Sequence, residues 1–79
     1  MKEINLGRIL IENRHKRGIT QEELAEYIGV SKAAVSKWEI GMTYPDISLL
    51  PRLASYFNIS IDELMGYKPQ IDTADIRKW

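Results

Sequence analysis

The chain has 79 residues, in which 11 lysines and arginines balance 11 aspartates and glutamates, so its net charge is zero. That length suits one small domain with a marginal core, and the charge balance argues against binding a polyanion by bulk charge alone. There is no cysteine and one histidine, His15, which excludes disulfides and thiolate metal sites and leaves almost nothing for a zinc centre or a histidine-based triad.

The start, "MKEINLGRIL", mixes charged and amide residues among apolar ones and is no signal peptide. No apolar run approaches the roughly 18 residues of a membrane span, so a soluble, cytoplasmic protein is expected. Leu6, Ile9, Leu10 and Asn13 then fall at i, i+3, i+4 and i+7, a helical stripe ending near Gly18. "TQEE", Thr20 to Glu23, is a capping box that opens a second helix from Gln21 to about Ile28, with Leu24, Ala25 and Ile28 inward and Gly29 as its stop. Ser31 caps a third helix whose inward face is Ala34, Val35 and Trp38, closed by Gly41. "MTYPD" is a loop, because Pro45 biases Tyr44 away from helical dihedrals.

A fourth helix carries Leu49, Leu50, Leu53, Ala54 and Phe57. Pro51 leaves two versions of its start: with Ser48 as cap the proline falls in the tolerant first turn, and with Asp46 as cap a bend is expected. "SIDE", Ser60 to Glu63, is a second capping box, opening a short fifth helix that ends at Gly66. There Asp62 and Glu63 are charges favoured by the helix dipole, not an acid/base pair. The tail "YKPQIDTADIRKW" breaks at Pro69 and restarts a helical pattern near Asp72 or Thr73. Residues 1–67 are thus expected as one domain and 68–79 as a linker or tail. Ile76 and Trp79 belong to a staple, a dimerisation element or the start of a second domain.

The stretch "TQEELAEYIGVSKAAVSKWEIG" carries the most specific signal. Counting Gln21 as first, Leu24 is fourth, Ala25 fifth, Gly29 ninth, Val35 fifteenth and Trp38 eighteenth. In a helix-turn-helix the alanine is small because two helices cross beside it, the glycine makes the turn, and the larger residues fix the pair to the core. With "YPDISLL" and "LASYFNISIDELMG", this stretch resembles the lambda-type repressor and Cro-like family, often called XRE-type, over roughly residues 4 to 66.

The resemblance implies an all-α, five-helix DNA-binding domain in which helix two crosses the DNA backbone and helix three enters the major groove. It places Lys32, Ala33, Ser36 and Lys37, on the exposed front of helix three, at base edges. Lysine donates to guanine O6 and N7, and a methyl meets the thymine methyl. It places Gln21, Ser31, Thr43 and Tyr44 at phosphates, and Arg14 and Glu39 in a buried ion pair. Ile40, Met42 and Thr43 depart from the polar or basic residues many relatives have there, so this loop should grip phosphate less.

The expected function is sequence-specific double-stranded DNA binding by a bacterial or phage transcriptional regulator, a repressor working as a homodimer on an inverted-repeat operator at the nucleoid. The rival is an antitoxin-like module on the same fold that binds a protein partner. Lys32 and Lys37 are ordinary solvated lysines unless the helix-turn-helix frame holds, and His15 is a solvated residue on helix one. No metal, cofactor or enzymatic activity is expected, since no ligand spacing, Gly-rich phosphate loop or triad is present.

Overall fold

Short helices with apolar residues three and four apart bury one side each, and in the computed structural model, which describes residues 5–66, those sides meet in one core. The elements are α1 (Leu6–Arg17), α2 (Gln21–Ile28), α3 (Lys32–Glu39), a 3-10 turn (Ile47–Leu49), α4 (Leu50–Phe57) and α5 (Ile61–Leu64), with no strand among the described residues. Leu6, Leu10, Leu24, Ile28, Val35, Leu53 and Leu64 are almost fully buried, and Trp38 and Phe57 close the core around them. At roughly 1.5–3 kcal/mol for each large apolar side chain, this burial is the main favourable contribution. The expected tail pattern near Asp72 or Thr73, with Ile76 and Trp79, lies outside the described residues.

Local chemistry sets most helix ends. The Thr20 hydroxyl accepts from the Glu23 N–H at 3.0 Å while the Glu23 carboxylate accepts from the Thr20 N–H at 2.8 Å. Ser60 and Glu63 repeat the exchange at 3.0 and 2.9 Å. Ser31 caps α3 by accepting from the Ala34 N–H at 3.1 Å. Gly29 takes φ of 93° between α2 and α3, a value that a side chain would disfavour. Asn58 ends α4 in the same left-handed region.

The start of the fourth helix resolves differently from either version read in the sequence. Asp46 caps the single 3-10 turn through the Ser48 N–H, and α4 begins only at Leu50, with Leu49 in the preceding turn. Pro51 therefore sits in the first turn of α4, where its missing N–H breaks no helical bond. Hydrogen bonds from the Ser48 hydroxyl and then its N–H hold the Asp46 carboxyl below its ordinary value. A carboxylate lowered in this way stabilises the fold at neutral pH and loses that contribution as pH falls through the lowered value.

Two close contacts fix α3 against α1. At Gly7, an added Cβ would lie 2.6 Å from the Glu39 carbonyl oxygen and 2.7 Å from that of Trp38, so the first turn of α1 touches the backbone of the last turn of α3. Beside it, Arg14 Nε donates to Glu39 Oε2 at 2.8 Å and Nη2 donates to Oε1 at 3.2 Å. Arg14 Nη1 also donates to the Ile19 carbonyl, and Gln21 Nε2 donates to Glu39 Oε1 at 2.8 Å. One buried carboxylate thus receives groups from α1 and from the start of α2. Elsewhere, Arg52 Nη1 donates to the Ile28 carbonyl at the end of α2, and Arg17 lies over the Tyr56 ring, itself 4.3 Å from that of Tyr27. The segment is closed by the Asn5 N–H donating to the Met65 carbonyl at 3.2 Å.

Two predictions follow from these contacts. Gly7→Ala should destabilise by about 1–3 kcal/mol through overpacking against backbone that cannot rotate aside, seen as a lower urea midpoint with an unchanged slope. Removing one member of the ion pair, by Arg14→Met or Glu39→Leu, should cost about 3–5 kcal/mol, because the other charge is stranded. The double variant should cost far less than the sum of the two, and additive costs in a double-mutant cycle would disprove the coupling.

Candidate nucleic-acid interface

The cap at Ser31 and the buried pair Val35 and Trp38 fix which side of α3 faces out. Lys32 and Ser36, Ala33 and Ser36, and Ala33 and Lys37 are three or four residues apart, so the four residues share the other side of the helix. Lys32, Ala33 and Lys37 are exposed, whereas Ser36, expected at the exposed front, is half-buried. Among the described residues neither lysine has an ion-pair partner.

The remaining expected site residues flank this face. Ser31 is exposed; its oxygen accepts the cap bond, and its O–H proton is still free to donate. Thr43 and Tyr44 are exposed in the loop after α3, where the Met42 and Thr43 N–H groups both donate to the Lys37 carbonyl. Gln21 begins α2 half-buried, with one amide N–H held by Glu39, so its other N–H and its first-turn backbone N–H are what it can offer a ligand. Arg14 and Glu39 lie together as described, turned inward, with 13 % and 3 % of their side-chain surfaces exposed.

Between the end of α1, the start of α2 and the start of α3 lies an open groove of about 600 Å³, lined by Arg14, His15, Thr20, Gln21, Glu22 and Lys32 among others. A smaller apolar cleft of about 210 Å³, formed by Leu6, Tyr44, Pro45, Ile47, Leu50 and Met65, lies beside the α3–α4 loop. Ile40, Met42 and Ile47 on that loop are exposed. Among the described residues no helix is long and apolar enough to cross a membrane, and no cluster of three or more histidines and carboxylates is placed to hold a metal.

Three placements escaped the sequence. Gly7 carries no local signal, since its role depends on carbonyls more than thirty residues away. The tie from Gln21 to Glu39 is likewise long-range. His15 has no partner motif, and only the packing of three helix ends brings it into one groove with Lys32.

The profile of the helix-turn-helix family matches residues 10–64. The chain is 40% identical over 62 residues to the transcriptional activator BcrR of Enterococcus faecalis, covering 78% of this chain and 30% of BcrR. It is 36% identical over 63 residues to the transcriptional regulator ImmR of Bacillus subtilis, covering 80% of this chain and 50% of ImmR. The chain therefore spans half or less of these curated relatives. Among solved structures it is similar to a transcriptional regulator from Listeria innocua, with a TM-score of 0.81, 32% identity, and coverage of 99% of this chain and 74% of that one. It is also similar to the P22 c2 repressor in complex with a synthetic operator, with a TM-score of 0.75, 29% identity, and coverage of 86% of this chain and all of that one. With five helices in this order and α2 and α3 joined at Gly29, the chain belongs to the helix-turn-helix family, of the lambda-repressor-like XRE type.

Proposed function

We propose that this chain binds double-stranded DNA sequence-specifically, laying α3 in the major groove, and regulates transcription, repressing by occupying a promoter. The observation that carries this reading is the two-sidedness of α3: Val35 and Trp38 are locked into the core while Lys32, Ala33 and Lys37 stand exposed on the other side. A helix fits the major groove, where donors and acceptors distinguish all four base pairs. Lys32 and Lys37 donate to guanine O6 and N7, the Ala33 methyl meets a thymine methyl, and Ser36 reaches a base only through its hydroxyl. Gln21, Ser31, Thr43 and Tyr44 contact phosphate and set the register of α3. The P22 c2 repressor, solved with an operator, supports the assignment by likeness.

Zero net charge and an inward Arg14 leave few groups to grip phosphate, which favours two copies sharing one site. A homodimer on an inverted repeat, with half-site centres about 34 Å apart, supplies that. In this role the protein works in the cytoplasm, at the nucleoid, with no cofactor. A second reading, an antitoxin-like module for a protein partner, is favoured by the exposed apolar loop, where Ile40 and Met42 are 67% and 68% exposed.

Selection from a random double-stranded library at about 50 and about 200 mM salt separates the readings, since nonspecific binding collapses between them. An enriched inverted repeat at both salts, lost or altered in a Lys32→Ala/Lys37→Ala variant, is the expected outcome. A folded protein that enriches nothing shifts the assignment to the protein-binding module, and a single enriched half-site rules out the dimer.

A further inference from the structure

We propose that His15 is a DNA-phosphate contact whose protonation tightens binding, because it lines the same groove as Lys32 and the first turn of α2. The inference rests on the DNA-reading assignment above and adds to it a residue from α1. The groove draws one cation from α3, Lys32, and one potential cation from α1, His15. Arg14, the other cation there, already gives two hydrogen bonds to Glu39 and one to the Ile19 carbonyl, so its charge is balanced within the protein. Gln21 likewise has one amide N–H committed to Glu39. Lys32 is therefore the one lysine or arginine lining the groove whose side chain makes no hydrogen bond or ion pair within the protein among the described residues.

The charged surroundings of His15 are mixed. On α1, Lys16 flanks it and Glu12 lies one turn back, held by Arg8 at 3.0 Å. From α2 Glu22 faces the groove, from α3 Lys32, and Glu39 lies beneath Arg14. A phosphate seated between Lys32 and His15 favours the imidazolium over the neutral ring, because the opposite charge stabilises the charged form. Histidine is the side chain whose ordinary charge change falls between pH 5 and 8. Affinity therefore rises as pH falls through that range and levels off on either side. In a chain with no excess charge, one added cation at the DNA is a large fraction of the electrostatic grip.

The experiment measures the affinity of the full chain for its selected DNA by fluorescence anisotropy from pH 8 to 5.5 at constant salt, for wild type, His15→Gln and His15→Lys. His15 is exposed, so all three should fold, and circular dichroism at each pH checks this. The wild type is expected to tighten roughly three- to tenfold on acidification, the effect of about one more phosphate contact. His15→Gln should stay near the weaker, alkaline level. His15→Lys should bind at the tighter level throughout, with a salt slope steeper than that of His15→Gln by about 0.9. A wild-type pH response that persists in His15→Gln, or a His15→Lys variant no tighter than His15→Gln, overturns the proposal. Absence of DNA binding in all three at every pH overturns the DNA-reading assignment itself, and the role of His15 with it.

Discussion

Glu39, the last residue of α3, is 8% exposed and receives three hydrogen bonds: two from Arg14 on α1 and one from Gln21 at the start of α2. An ionised carboxylate in that position is tolerable only because its lone pairs are filled from two directions. The three groups converge only when α3 ends where it does and α2 begins where it does. Apolar packing resists compression but slides easily, whereas this arrangement fails with a small rotation of α3. It is reinforced by the contact at Gly7, where the absent side chain lets the first turn of α1 rest on the Trp38 and Glu39 carbonyls. One contact sets the distance of α3 from α1, and the other sets its orientation.

This way of holding the helix has an electrostatic consequence. Arg14 balances Glu39, Arg8 pairs with Glu12, and Arg17 lies over the rings of Tyr56 and Phe57. Much of the basic content of the first half of the chain therefore serves cohesion. Among the described residues of that half, the lysines left outside these pairings are exposed: Lys16 on α1, and Lys32 and Lys37 on the outer side of α3. Under the DNA-reading proposal, a surface of this kind would discriminate through a few directional donors and add little sequence-independent attraction. Nearby, Ile40 and Met42 of the α3–α4 loop are exposed apolar side chains.

Features set by neighbouring residues were legible in the sequence. Both capping boxes are four-residue signals with a local mechanism, and each appears with its two reciprocal hydrogen bonds. The core faces of α1, α2 and α3 followed from a period of 3.6, which also put Lys32, Ala33 and Lys37 on the outer side. The half-burial of Ser36 was not legible, because period alone gives an angle around the helix and not a degree of exposure. The start of α4 was ambiguous because Asp46 and Ser48 can both cap, and the chain uses Asp46 for a 3-10 turn that puts Pro51 in a harmless place. The Arg14–Glu39 pairing was reached through family resemblance, since twenty-five residues of separation leave no local trace. Gly7 and the aromatic cluster of Tyr27 and Tyr56 had no such aid.

The hydrogen bond from Asn5 to the Met65 carbonyl brings the two ends of the described segment side by side. The helices between them run out and back, so the module meets the rest of any polypeptide at a single doorway. Its interior order is thus insensitive to where the chain is opened: a short bridge from residue 66 to residue 5, with a new break in the α3–α4 loop, preserves every helix and every cap. The same closeness suits the module to insertion inside another domain, since a host strand or helix could be interrupted and resumed with little displacement.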